Sequence, residues 1–450
     1  MGCLFAIGVG LPVKLWSGEI AQSIDPSVVA SRIPRAETGS KSDHMTGDWA
    51  GVRTRMVESG FHFSSGYSGE IFGNISGGKK RGVEYEGLFE LGLDVDPSKF
   101  SSWQESAFHV SSLYPHGASP SGQLVGDLST ISNIDAYDST LLFEWWMEQN
   151  FWEQRFSIRI GQLAADEEFA IVDFAEGMLN ADFGWPSFIS LNAPAPAFPV
   201  AALGVRLRWS LPDYFYIQGG VYDGNPDPGD ASGGAINQHG TRIKLSEDEG
   251  AFTMAEFGYD SIGDPSADGL RGSYKLGAWC HTGDFSHLRE DQSGLALSNS
   301  MSSGMPKELD GNWGVYTVVN QMLWREETDS NALGQGLGIF FRAGGSPSDR
   351  SLIELDIDAG FQYKGLFPGR DADVAGFGVA WLNLSDESGK LAQELGAEKL
   401  DYEVALEATY QIMIQPWWLI QPDIQYIIHP GGSAELNNAL VIGMRSSLIF

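Results

Sequence analysis

DYEVALEATYQIMIQPWWLIQPDIQYIIHPGGSAELNNALVIGMRSSLIF, Asp401 to Phe450, switches between apolar and polar at almost every step. Tyr402, Val404, Leu406, Tyr410 and Ile412 alternate with Glu403, Glu407 and Gln411. Trp418, Ile420, Ile424, Tyr426 and Ile428 alternate with Asp423 and Gln425, and Leu440, Ile442, Met444, Leu448 and Phe450 with Gly443, Arg445 and Ser447. A period of two sends the two sets to opposite faces of a strand. Gln415-Pro416-Trp417 makes a tight turn after the first strand, whereas His429 to Asn438 makes a longer, Gly-rich loop after the second.

The same signature runs upstream. Phe61, Phe63, Tyr67 and Ile71 alternate with His62, Ser64, Ser68 and Glu70, and Tyr85, Phe89, Leu91 and Leu93 with Glu84, Glu86, Glu90 and Asp94. Leu141, Phe143, Trp145 and Met147 are expected on the face opposite Thr140, Glu144 and Glu148. Phe156, Ile158 and Ile160 alternate with Arg155, Ser157 and Arg159, and Leu203, Val205, Leu207 and Trp209 with Gly204, Arg206 and Arg208.

A soluble sandwich also alternates, but its wet face is usually rich in Lys, Thr and Ser. Here that face carries carboxylates and arginines, which suits a crowded polar lumen. Short turns on one side and long loops on the other are the habit of outer-membrane barrels, in which closure satisfies every strand edge. Roughly 400 residues at about 25 per strand and connection give on the order of 16 strands, wide enough for an aqueous channel. The expected fold is therefore all-β, a transmembrane antiparallel barrel. Trp152, Trp209, Tyr214 and Trp418 are expected at its interfacial girdles. Ahead of the first strand, Asp48 can cap a short helix that presents Trp49, Val52 and Met56 on one face and ends at Gly60. Arg53 and Arg55 on that helix are read as bracing the barrel floor.

Composition narrows the class further. The 450 residues are 42% hydrophobic and 12% aromatic, which argues against disorder. A net charge of −31 without a basic stripe argues against nucleic acid. Two cysteines, Cys3 and Cys280, support neither a disulfide framework nor a cysteine zinc site. Residues 1–22 read as an export signal without the usual basic start, and residues 23–45 as a polar linker before a barrel over 46–450.

The stretch TGDWAGVRTRMVESGFHFSSGYSGEIFGNISGG (Thr46 to Gly78) resembles the opening of the carbohydrate-selective porins of the OprB family. Collinear likenesses follow in DEEFAIVDFAEGMLNADFGWP (Asp166 to Pro186), FPVAALGVRLRW (Phe198 to Trp209) and QPDIQYIIHPGG (Gln421 to Gly432). Ala50 stands where that family usually has Gly, and His429 where Asn is common. The resemblance implies a barrel of 16 strands whose loops fold into the lumen, passing mono- and oligosaccharides passively across the outer membrane.

A sugar offers hydroxyls and apolar C–H faces, so a pore that favours it needs donors, acceptors and aromatic rings. By parity the lumen candidates are Glu70, Glu86, Glu90, Asp94, Arg155, Arg159, Arg206 and Arg208. The long loop adds Asp166, Glu167, Asp173, Glu176 and Trp185. Opposed acids and arginines would set a transverse field across the constriction. Loss of Arg206 and Arg208 should then weaken sugar block more than barrel stability.

The competing readings are a general or cation-preferring porin, which the same acids would serve, and an outer-membrane enzyme. Asp166, Glu167, Asp173 and Glu176 could supply a glycosidase pair, but nothing fixes their separation. His281, Asp284 and His287 match no zinc pattern. No catalytic residue, metal or cofactor is expected. The expected partners are carbohydrate solutes, outer-membrane lipid, the barrel-assembly machinery acting through Phe450, and sister subunits of a homotrimer.

Overall fold

A computed structural model describes residues 44–227, 235–261, 270–326 and 335–450; the segment read as an export signal and most of that read as a linker lie outside them. Alternation closes into one antiparallel barrel of 16 strands, each bonded to its sequence neighbours, with the first joined to the last. The first half is β1 (Phe61–Ser76), β2 (Gly82–Val95), β3 (Ser106–Gly117), β4 (Leu141–Phe151), β5 (Phe156–Leu163), β6 (Ala202–Ser210), β7 (Phe215–Asp223) and β8 (Ala251–Ser261). Then come β9 (Gly272–Asp291), β10 (Pro306–Arg325), β11 (Gly336–Gly345) and β12 (Ile353–Lys364). β13 (Val374–Leu384), β14 (Tyr402–Gln415), β15 (Trp418–Ile428) and β16 (Ala439–Ile449) complete the wall. At the seam Gly66 faces Ile449 and Glu70 faces Arg445.

Outward positions are apolar, as a lipid-facing band requires: Ile71, Val83, Val205, Leu207, Ile217, Leu276, Ile424 and Ile442 are all exposed. At the short-turn rim Trp152, Phe156 and Trp209 form one aromatic cluster. Cys280 is a free, exposed thiol, paired across the sheet with the exposed Trp313.

The expected parity fails in one strand. Val110 of β3 faces Trp145, yet Ser112 faces Leu142, so β4 carries one residue more than its partner. Beyond such a bulge the pleat resumes on the other face. Leu141 and Phe143 therefore turn inward and are buried with Leu88, Leu113 and Phe198.

The pre-barrel helix is α1 (Val52–Glu58), one 3₁₀ turn later than Asp48 suggests. Asp48 still caps it, since its Oδ1 accepts the Thr54 N–H at 2.9 Å. Gly60 follows it at φ 86°, where a Cβ would meet the Asp96 carbonyl. Arg53 does brace the floor. It stacks on Trp49 and donates to the Phe63 carbonyl at 3.3 Å and to the carbonyl of the last residue, Phe450, at 2.8 Å.

The lumen is filled from the long-loop rim by L2 (residues 118–140) and L3 (residues 164–201). L3 contains the single-turn helices α2 (Ala181–Gly184) and α3 (Ser187–Ser190). Outside the lumen, α4 (Asp386–Glu394) is tied to β9 through Arg289, which bonds Glu394 at 2.6 Å. Ser385 caps α4 by accepting from the N–H groups of Glu387 and Ser388.

Candidate functional site

Most of L3 is buried, and its side chains explain the burial. Phe174, Phe183 and Phe188 sit on wall glycines: a Cβ at Gly338, Gly378 or Gly344 would come within 2.2, 2.6 and 2.3 Å of those rings, respectively. The flat wall positions are thus sockets for loop aromatics. Gly344→Val is expected to evict Phe188 at an overpacking cost of about 1–3 kcal/mol. The folded band on a heated gel should vanish at a lower temperature, and an unchanged melting point would show that the socket yields freely.

A loop crossing a barrel must also satisfy its peptide groups, and inward side chains of the wall do this. Glu256 accepts Ala170 N–H at 3.0 Å, Asn320 accepts Phe174 N–H at 3.4 Å, and Glu407 accepts Leu179 and Asn180 N–H at 2.6 and 2.8 Å. Asp356 accepts Phe188 N–H at 3.1 Å. From the other side Arg342 donates to the carbonyls of Ala170, Gly184 and Asp182 while paired with Asp358. L2 is gripped alike: Glu403 accepts the N–H groups of Leu128 and Ser129, and Arg445 joins Glu70 to Asn133. The two loops bond to each other, Ala181 N–H to Thr130 at 2.9 Å and Asn133 N–H to Leu179 at 2.7 Å.

L2 carries two acids whose burial pushes them up, Asp127 to about 7 and Asp135 to about 6. A carboxyl raised above its unfolded value of about 3.9 adds stability below that value and loses it as pH rises through the folded one. Docking of L2 should therefore weaken between about pH 4 and 7 as these groups ionise. Asp135→Asn is expected to flatten that part of the melting-temperature profile, and an unaltered profile would refute the assignment.

The residues singled out in the sequence divide by place. Arg159 and Arg206 meet as expected, but they are locked with Glu148 and Glu168. Arg159 bonds Glu148 at 2.8 Å and also Glu168; Arg206 bonds the same two at 2.6 and 3.3 Å. Two charges of each sign cancel where L3 meets this wall, so these arginines do not face an opposite acidic wall as free charges. Arg206 is structural as much as lumenal, so its loss should lower stability as well as weaken the sugar block expected of it. Arg208 stays half-buried, bonded to Gln218 at 3.0 Å and stacked over Tyr216.

Glu70 is fully buried against Arg445, and Glu86 is buried nearby. Glu90 keeps partial exposure to the lumen, and Asp94 is held by His109 at 2.7 Å. Asp166 accepts the Phe198 N–H, and burial with Glu167 beside it lifts its carboxyl well above the usual range. Glu90 and Glu144 feel the same Glu167 charge. Asp173 accepts Ser273 at 2.9 Å, and Glu176 is exposed. Two expectations fail. Arg155 belongs to the exposed turn between β4 and β5, outside the regular pleat, and Trp185 is 0% exposed inside the packed loop, where no solute ring can reach it. Sequence reasoning missed Glu168, Glu256, Arg342, Asp356, Asp358 and Glu403 as site-forming groups; only inward parity could have flagged the strand residues among them.

Comparison with known proteins fits this architecture. The model of the "Carbohydrate-selective porin, OprB family" matches residues 80–450. The chain is 25% identical to "Porin B" of Pseudomonas aeruginosa over all of this chain and 97% of that one. It is 22% identical to the "Putative porin QuiX" of Acinetobacter baylyi, covering 95% and 98%. A structure titled "High pH structure of Pseudomonas putida OprB" superposes with a TM-score of 0.80 at 24% identity, covering 92% of this chain and 100% of that one. With a closed barrel narrowed by two inserted loops, the chain belongs to the carbohydrate-selective porins of the OprB family and is an outer-membrane channel for passive sugar diffusion.

Proposed function

We propose that sugars move along the part of the lumen that L2 and L3 leave open, past Glu90 and Asp94 of β2, Glu167, Asp173 and Glu176 of L3, and Arg208 of β6. The observation that carries this reading is the wall's grip on the loops: with both plugs fixed, these polar groups keep partial exposure with which to meet solute. Carboxylate oxygens accept hydroxyl protons and the Arg208 fork donates to ring and hydroxyl oxygens, replacing the hydration a sugar gives up. Trp146 adds no open stacking face, because His109 stacks against it and the Arg159 guanidinium lies 3.9 Å from its ring centre. Recognition is thus by hydrogen bonds more than by aromatic platforms.

The excess of acids should favour cations among small ions. In planar bilayers, glucose and maltose are expected to block ion current saturably, and Glu90→Gln with Glu167→Gln to weaken both block and cation preference. Current indifferent to sugar in the native channel would leave a cation-preferring pore instead. The apolar outer band suits outer-membrane lipid, and three such barrels could share it as a homotrimer. Phe450, whose N–H donates to Ser65 at 3.0 Å, offers the assembly machinery a terminal strand to read.

A further inference from the structure

Asp182 of α2 and Asp356 and Asp358 of β12 converge beneath L3, with one carboxylate oxygen of each within 4.8 Å of the other two. One oxygen of each is already used. Asp182 Oδ1 accepts Ser187 N–H at 2.6 Å, Asp356 Oδ2 accepts Phe188 N–H at 3.1 Å, and Asp358 Oδ2 accepts Arg342 Nε at 2.8 Å. The second oxygens, Asp182 Oδ2, Asp356 Oδ1 and Asp358 Oδ1, are buried with no hydrogen-bond donor. The three residues are 0, 2 and 1% exposed. Since the loop backbone and Arg342 hold the first oxygen of each, the orphaned ones are left for the space the three share.

Charge makes the arrangement unstable as it stands. Three carboxylates beside one guanidinium, that of Arg342, which pairs with Asp358, leave a formal excess of two negative charges in a buried site, and buried charge without a partner is strongly unfavourable. A divalent cation cancels that excess. The donors are all oxygen, which selects a hard ion over a transition metal. Two oxygens bound to one calcium at about 2.4 Å can lie no more than about 4.8 Å apart, and the cluster meets that limit. We infer that Asp182, Asp356 and Asp358 hold a calcium-class divalent cation that pins L3 to β12. The ion would join a loop carboxylate to two wall carboxylates, at the point where Arg342 also clamps the loop.

The test uses the full barrel refolded in detergent free of lipopolysaccharide, stripped with EGTA, reloaded with calcium chloride and desalted. Metal analysis is expected to find about one calcium per chain, and added calcium to raise the melting midpoint. Asp356→Asn and Asp358→Asn, which keep shape and remove charge, should lose both the bound calcium and the midpoint shift. Glu403→Gln, at the separate L2 anchor, should keep them. If either wall variant fails to fold, Asp182→Asn tests the same site from the loop side, and the native metal content stands by itself. Native protein with no more calcium than Asp356→Asn, and a midpoint indifferent to calcium, would overturn the inference and leave shared protons as the neutralising agent.

Discussion

Arg342→Met is expected to open the channel: L3 loses its clamp and single-channel conductance rises several-fold. Arg342 is buried on β11, where it pairs with Asp358 and donates to three L3 carbonyls. Methionine fills much of the same volume but leaves Asp358 and those carbonyls without a donor. Breaking a buried pair from one side costs about 3–5 kcal/mol. The barrel wall itself is closed by main-chain bonds between all 16 strands, so the loss should fall mainly on the loop. Folded barrels should still form, the heated-gel transition should drop, and sugar block should weaken with the wider passage. Native conductance and native melting together would show that the aromatic sockets and the wall groups that accept L3 N–H bonds hold the loop without Arg342.

Glu148→Gln should shift ion preference toward anions. In the native channel Glu148 of the wall and Glu168 of L3 balance Arg159 and Arg206. Removing one acid leaves a buried positive excess beside the passage, again at a cost of about 3–5 kcal/mol for the broken network. A bi-ionic reversal potential reads the charge and a thermal melt reads the stability. Adding Arg206→Gln restores neutrality, so the double variant should recover much of the native reversal potential and be less destabilised than the two single losses would sum to. If the charge shift is absent while stability falls, the network is a brace that the permeating ion does not sense.

The wall was largely legible from the alternation because its two faces meet different solvents, lipid outside and polar lumen inside. Strands β14 to β16 follow their parity from Tyr402 to Ile449. Leu141 and Phe143 were misread because an extra residue in a strand leaves the composition unchanged while reversing every later side chain. Arg155 was extrapolated from a regular pleat into a turn. Trp185 has no periodicity around it to say whether a loop aromatic meets water or core.

The deeper gap lies among the inward acids. Glu407 and Glu90 look alike in sequence, both polar at inward positions, yet Glu407 is spent on the backbone of residues 179 and 180. That partner lies more than two hundred positions away, and no local spacing encodes it. Family likeness indicated that the long loop enters the lumen but not which carboxylates hold it there.

The grip on L3 has a consequence for how such pores can diversify. Glu256, Asn320, Glu407 and Asp356 hold peptide N–H groups, a feature that any residue except proline supplies. Away from the seated phenylalanines and the carboxylates of Glu168 and Asp182, the loop's side chains can therefore vary by mutation while its path stays put. Selectivity can drift toward a new nutrient without passing through an intermediate that fails to assemble, because the mooring and the filter belong to different atoms of the same loop.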